Sequence, residues 1–360
     1  MTVNTTPQFV PDTAPIAPIQ FLDQDGRLAA GATPALDTAG ILEGLRYMAW
    51  GRAFDAKSFS LQRQGKLGTF APLVGQEAAI MGAAMATDPA RDWLVPQYRE
   101  TPALVRHGHS ALRVALYRLG HPHGGRIDAN VKVMQFNISL AAQIPHAVGL
   151  GWGMKMQGQD GVAVAYFGEG SSSEGDFHEA ANLAGVMKAP VIFFLQNNQW
   201  AISTPREIQS QATDLAARAP GYGMPGVSVD GNDLLAVHKV TAEAVARARA
   251  GEGPTLIEAH TFRMWAHTTA DDPTRYVNPE VKERWEKRDP IDRIQKYLSA
   301  QGLWDDARHG EMQASVEAEV EAVFAEAFAH PPARAEEIYE HTFASSTPAL
   351  ERQRQWHLGA

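Results

Sequence analysis

The segment from Val162 to Asn198 constrains this chain more than any other. It reads as an apolar run, VAVAYF (Val162 to Phe167), then a Gly168-Glu169-Gly170 turn and an amphipathic stretch. A second apolar run, VIFFL (Val191 to Leu195), and an Asn197-Asn198 pair follow. Two runs of strand length with a helical pattern between them predict a βαβ unit, and hence parallel strands in a sheet covered by helices. The acid and the Asn pair then fall at the carboxyl ends of two parallel strands, where open α/β sheets bind their ligands. A carboxylate and an amide oxygen at that edge are donors that suit a hard divalent cation such as Mg²⁺.

Helical and strand patterns alternate as far as about residue 275, with a further apolar run at 255–259. The fold class expected is therefore α/β, a parallel sheet with helices on both faces. Asp37 is placed to cap a helix running to about Gln64, with Ile41, Leu45, Met48 and Ala49 at helical spacing. Residues 1–35, rich in Pro, Thr and Ala, predict an extended N-terminal arm, and residues 36–278 the α/β domain. Residues 279–360 predict a helical extension, charged from Glu280 to about Ala329 and interrupted at Asp289-Pro290. Internal repeats and low-complexity segments are absent from the sequence.

The bulk properties exclude several classes. A net charge of −9 argues against nucleic acid as a partner, because phosphate backbones are bound by basic faces. With no Cys, disulfides, thiolate nucleophiles and Cys-zinc sites are excluded together. No apolar run approaches the roughly 18 residues a membrane helix needs. The first Lys or Arg is Arg27, which argues against the basic start of a signal peptide or an Arg-rich transit peptide. A cytoplasmic protein is the expectation.

The Gly-Glu-Gly turn, the strands flanking it, the helix between and the terminal Asn-Asn resemble the thiamine diphosphate motif, with 26 residues separating Gly170 from Asn197. The resemblance extends along nearly the whole chain to the α subunit of 2-oxo acid dehydrogenase E1 components. It is carried by SLQRQGKLGTFAPLVGQEAA (Ser60 to Ala79), VPQYRE (Val95 to Glu100), AISTP (Ala201 to Pro205) and VDGND (Val229 to Asp233). GEGPTLIEAHTFR (Gly251 to Arg263) and AHTTADDPTRY (Ala266 to Tyr276) carry it further.

The resemblance implies a thiamine diphosphate-binding fold, thiamine diphosphate and Mg²⁺ as cofactors, and a role for each matching residue. Glu169 and the side-chain oxygen of Asn198 would ligate the metal, with the backbone carbonyl of Trp200 as third protein ligand. The family more often has Asp at the first position, and branched-chain members resemble this chain in carrying Glu. Tyr or Phe is usual at the third, but a main-chain contact tolerates Trp. Gly168, Gly170 and Ser171 would bring the backbone close to the diphosphate, Gly170 having no Cβ in the way, at a turn opening into a helix N-terminus. Gln97, Tyr98 and Arg99 match the diphosphate clamp, Arg contributing forked donors. Gln196 stands where branched-chain relatives have Arg. Ile138 and Leu140 match the residues that hold the aminopyrimidine and wedge under the cofactor; read alone, both are ordinary core residues.

His267 matches an active-site loop histidine suited to moving protons near neutral pH. His121 and His123, in GHPHGG, also fall near a family active-site histidine, and His123 is the one favoured. Together with His107 and His109 they raise zinc binding as an alternative, although His107 and His109 sit beside Gly108 at an expected helix end. The glycines at 149, 151, 153 and 158 superficially resemble a dinucleotide loop, but their spacing is wrong and no strand precedes them. They predict close packing of two helices. Leu67 after Gly65-Lys66 rules out a P-loop.

By resemblance the activity is oxidative decarboxylation of pyruvate or a branched-chain 2-oxo acid with acyl transfer to the lipoyl domain of an E2 acyltransferase, a reaction of EC class 1.2.4. The Glu that activates the cofactor comes from a separate β subunit in this family, which implies an α2β2 heterotetramer. GHPHGG and GEGPTLIE resemble pyruvate-type chains, while the GEG triplet and ARAPGYG (Ala217 to Gly223) resemble branched-chain ones. Competing readings are the E1 α subunit of an acetoin dehydrogenase, a non-catalytic scaffold of the same fold, and a His-rich metallohydrolase.

Overall fold

A computed structural model describes residues 16–340 and 342–359; residues 1–15 of the expected arm lie outside them. In chain order the elements begin with α1 (Thr38–Arg63), α2 (Glu77–Met85), β1 (Trp93–Val95), α3 (Thr101–Arg106), α4 (Ala111–Arg118) and α5 (Gln143–Met156). There follow β2 (Ala163–Gly168), α6 (Gly175–Met187), β3 (Val191–Asn197), a small hairpin of β4 (Trp200–Ala201) and β5 (Thr204–Pro205), and the one-turn helix α7 (Arg206–Gln209). Next come β6 (Gly226–Asp230), α8 (Leu234–Arg249) and β7 (Thr255–His260). The C-terminal part is helical: α9 (Pro279–Glu286), α10 (Pro290–Ala300), α11 (Asp306–Ala329), α12 (Glu337–Glu340) and α13 (Pro348–Leu358).

The main sheet has the order β1-β2-β3-β7-β6 and every pair in it is parallel. The strands are buried on both faces, which is why they read as continuous apolar runs. Strand periodicity divides them cleanly. Val164, Tyr166, Ile192, Phe194 and Ile257 join the core beneath α2 and α8, while Ala165, Phe167, Phe193, Leu195 and Leu256 join the core beneath α5 and α6. The α/β expectation is met. A third cluster stacks Trp50, Phe54 and Phe324 at centroid separations of 5.0 and 4.9 Å, binding α1 to α11.

Local signals behave as their chemistry requires. Asp37 accepts the Gly40 N–H at the start of α1, and Asp289 accepts those of Ile291 and Asp292 at the start of α10, with Pro290 in the first turn. The charged C-terminal stretch has a second break, at 301–305, where Gly302 takes φ +70° and Asp305 caps α11. Gly151 does permit a close approach, but to a strand: a Cβ there would lie 2.8 Å from the Val191 side chain, whereas Gly149 and Gly153 face open space. The described part of the arm runs beside β6. Ile19 bridges Val229, Leu22 is fully buried, and the N–H groups of Phe21 and Leu22 both reach the Asp233 carboxylate at 2.6 Å. The sheet edge is thereby covered.

Gly75 sits in the turn leading to α2, at φ +97°, and a Cβ there would lie 2.2 Å from the carbonyl oxygen of Phe262. Gly75→Ala is expected to cost about 2–4 kcal/mol through left-handed strain and overpacking. Denaturant unfolding would show it as a lower midpoint at unchanged slope.

Candidate functional site

Parallel pairing aligns Gly168 with Gln196 and Asn197 with His260, so the loops after β2, β3 and β7 leave the sheet at one edge. They enclose a cleft of about 210 Å³. Its lining includes Gln97, Tyr98, Arg99, Ile138, Leu140, Gly168, Glu169, Gly170, Ser171, Asn198, Trp200 and His267, all expected site residues, with Ala201 and Ile202 in addition. Two expected residues are elsewhere. Gln196 is turned away, donating to the buried Glu100 carboxylate at 2.7 Å. His123 does not line this cleft; Glu337, at 2.8 Å, and His330, at 3.1 Å, hold its ring.

Glu169 is 2% exposed, and burial raises its pKa above the usual carboxylate range. Its Oε2 accepts the Asn198 N–H at 3.2 Å, and it forms no ion pair among the described residues. Asn198 donates through Nδ2 to Gln76 at 3.1 Å, which fixes its amide and leaves Oδ1 accepting the Trp200 N–H at 3.2 Å. Gln199, between them, has φ +75°, Ile202 in the lining has φ 56°, and Ala141, next to the lining residue Leu140, has φ 64°. Such strain clusters where a site needs a particular backbone aim. Gly170 and Ser171 lie on a 3₁₀ turn (Glu169–Ser173), and α6 starts only at Gly175. The close approach of Gly170 is to the β4 hairpin, where a Cβ would stand 2.8 Å from that of Ala201.

The opposite charge is also prepared. Arg99 and Arg263 are 5% and 2% exposed and neither pairs with a carboxylate among the described residues. Arg99 donates to the carbonyls of Pro72 and His267 and to His267 Nδ1 at 3.0 Å. Arg263 donates to the carbonyls of Trp200, at 3.2 Å, and Ile202, and to the Tyr276 hydroxyl. The Nε2 of Gln97, its Oε1 already engaged by Gly168 and Ser171, is a buried donor with no partner. Buried guanidiniums held by neutral acceptors alone attract an anion, and a buried acid beside them attracts a cation.

A family model described as "Dehydrogenase E1 component" matches residues 45–336. The α subunit of the pyruvate dehydrogenase E1 component of Staphylococcus epidermidis is 42% identical over 311 residues, covering 86% of this chain and 84% of that protein. Its Staphylococcus aureus counterpart is 41% identical over the same coverage. The chain belongs to the dehydrogenase E1 component family. It is an E1 α chain, the α type of subunit of an oxidoreductase of the 2-oxo acid dehydrogenase class.

In this E1 α chain His267 connects the cleft to a second chamber of about 490 Å³, lined also by Phe70, Tyr98, Tyr117, Arg118, Phe136 and Ile138. Arg99 can only donate, so Nδ1 of His267 accepts and the ring hydrogen lies on Nε2. Burial first, then Arg99 and Arg263, push the His267 pKa down to about 3. The folded chain thus binds fewer protons than the unfolded one between about pH 3 and the ordinary histidine value of 6.5. Stability from this group is complete above that window and is lost as pH falls through it. His267→Asn is expected to flatten the acid limb of a plot of unfolding midpoint against pH.

Two residues of this site escape a reading of the E1 α sequence by motif. Arg263 and Gln76 lie far along the chain from the residues they serve, Gln76 and Asn198 being 122 positions apart. The available signal for Arg263 is its place just past the end of β7. A larger cavity, about 660 Å³ between α1, α10 and α11, contains none of the site residues. No described helix is long and apolar enough to cross a membrane.

Proposed function

We propose that this E1 α chain binds Mg²⁺ and thiamine diphosphate in the cleft and contributes its half of an active site for oxidative decarboxylation of a 2-oxo acid. The observation that carries the reading is the pairing of opposite needs: the buried, unpaired Glu169 beside buried guanidiniums that lack a carboxylate. Glu169, the Asn198 Oδ1 and the Trp200 carbonyl form an all-oxygen donor set that suits Mg²⁺. Arg99, the Gln97 amide and the Tyr98 hydroxyl are suited to the diphosphate, with Arg263 a further cation beside them. Ile138 and Leu140 offer apolar surface to the heterocycle. When bound, the cofactor supplies the electron sink that loss of CO₂ requires. His267, neutral and carrying its hydrogen on Nε2, is placed to donate a hydrogen bond from that nitrogen where cleft and chamber meet.

The cleft is smaller than the roughly 300 Å³ at which pockets begin to enclose a small ligand. Ile138, Leu140 and Ile202 at its lining are 63%, 40% and 56% exposed. Such a half-site with an apolar lip supports completion by a β subunit in an α2β2 heterotetramer, with acyl transfer to a lipoyl domain of E2 in the cytoplasm. Of the arm expected over 1–35 and the helical extension expected over 279–360, we assign the described residues 16–35 and 279–340 with 342–359, and residues 36–278 as the cofactor-binding domain. The two relatives are named for pyruvate, which favours pyruvate over branched-chain acids. Dye reduction by this chain co-expressed with its β subunit, with pyruvate, 3-methyl-2-oxobutanoate and acetoin side by side, tests this. Pyruvate turnover that vanishes without β is the expected result; turnover of acetoin alone would overturn it.

A further inference from the structure

Outside the cleft, three imidazoles converge where the turn after α4 meets the C-terminal end of α11. The rings of His121, His123 and His330 lie with centroids 4.6, 5.0 and 5.3 Å apart, all edge-on. One ligand nitrogen from each lies within 4.8 Å of the others. Their partners fix two of the tautomers. His123 Nε2 meets the Glu337 carboxylate at 2.8 Å and His121 Nε2 meets the Pro331 carbonyl at 3.1 Å. Both partners accept only, so the hydrogens lie on the Nε2 atoms and the Nδ1 atoms carry the lone pairs; that of His121 accepts the His123 backbone N–H at 3.1 Å, a bond that a metal would displace. The His123 Nδ1 is directed at His330 Nε2, 3.1 Å away.

We infer that His121, His123 and His330 form a binding site for a divalent transition metal of the zinc type, with Glu337 positioning His123. Neutral imidazoles are the ligands such ions select. A carboxylate on the far nitrogen of a ligating histidine orients the ring and raises its basicity. Tetrahedral ligands at about 2.1 Å from zinc lie about 3.4 Å apart, so the His123–His330 pair is already at ligand spacing, while the His121 nitrogen, within 4.8 Å, would close in and exchange its hydrogen bond for the metal. Three nitrogens leave a fourth position for water. The ligands come from residues 121–123 and from 330, so the metal would clip the end of α11 to the turn that follows α4. Gly120 and Tyr117, just before that turn, line the second chamber, and the clip would hold this wall of it. The three ligands are separated by up to 209 positions in sequence, and only the fold brings them together.

The test is titration of the full chain, stripped with a chelator, with Zn²⁺ against a chromophoric competitor, accompanied by thermal melts. One equivalent should bind, at least a hundredfold tighter in the wild type than in His330→Ala, and Zn²⁺ should raise the melting temperature of the wild type only. Glu337→Gln should weaken binding about 10–100-fold, as loss of an orienting partner does. Should His330→Ala not fold, His121→Asn serves as the second ligand deletion, with the same loss expected. Co²⁺ should give the visible band of a tetrahedral nitrogen site. Equal Zn²⁺ affinity in the wild type and the ligand variants, or no tight equivalent in the wild type, would overturn the assignment and leave a hydrogen-bonded histidine cluster.

Discussion

Glu169→Gln is expected to weaken Mg²⁺ binding and the turnover that depends on it by at least about a hundredfold while leaving the fold no less stable. The first half follows from the donor set. The amide keeps an oxygen but loses the charge that offsets a divalent cation, and a lost ligand should cost no less than a lost supporting residue. The second half follows from burial. Glu169 is 2% exposed and pairs with no described cation, so its charge is held at a desolvation cost. Gln has the same length and can still accept the Asn198 N–H. Function lost with a melting temperature equal or higher marks a residue kept for its ligand rather than for the fold. Retained magnesium dependence in the variant, or a marked drop in melting temperature, would sink the assignment.

Asp55→Ala should be the most destabilising of the substitutions considered, at roughly 3–5 kcal/mol. Asp55 is fully buried and accepts from Arg118 at 2.9 Å and from the Leu73 N–H at 2.6 Å. Arg118 in turn lies between the rings of Phe54 and Phe70, at 4.8 and 4.2 Å, and donates to Ser58. Removing the carboxylate leaves a guanidinium in the interior with only two hydroxyls, those of Ser58 and Thr101, and two π faces to replace it. The damage should reach the second chamber, since Arg118 and Phe70 are part of its wall. The double variant Asp55→Ala with Arg118→Met should recover more than half of the loss, because a buried pair replaced by apolar groups is often neutral. Denaturant midpoints for the two variants measure this; a single-variant loss below about 1 kcal/mol would contradict it.

The sequence made the sheet legible where strands are apolar on both faces, as in β2, β3 and β7, because periodicity and burial then agree. It was silent on β1, only three residues long, and on β6, whose Gly and Ser interrupt the run. The cap at Asp37 was readable because a side-chain oxygen one residue before a helix has a single local job, and the break at Asp289-Pro290 because Pro ends a helix; that Asp289 caps the next one comes from the structure. The candidate site was readable where local motifs carry it, at Glu169, Asn198 and the 97–99 turn. It was not readable where tertiary partners decide. Gln196 faces Glu100 because that buried carboxylate needs a donor, and Arg263 meets the cleft residues Trp200 and Ile202 only because β7 lies beside β3. His123 illustrates the same limit. Its neighbours in sequence place it near a family histidine, while its neighbours in space are His330 and Glu337.

Calorimetric titration of thiamine diphosphate into the chain assembled with its β subunit, in Mg²⁺ and again in excess chelator, tests the central claim most directly. One equivalent per α chain in Mg²⁺, and binding at least a hundredfold weaker without it, is the predicted result. Binding indifferent to the metal, or none in its presence, would contradict the reading of Glu169, Asn198 and Trp200 as the metal's ligands.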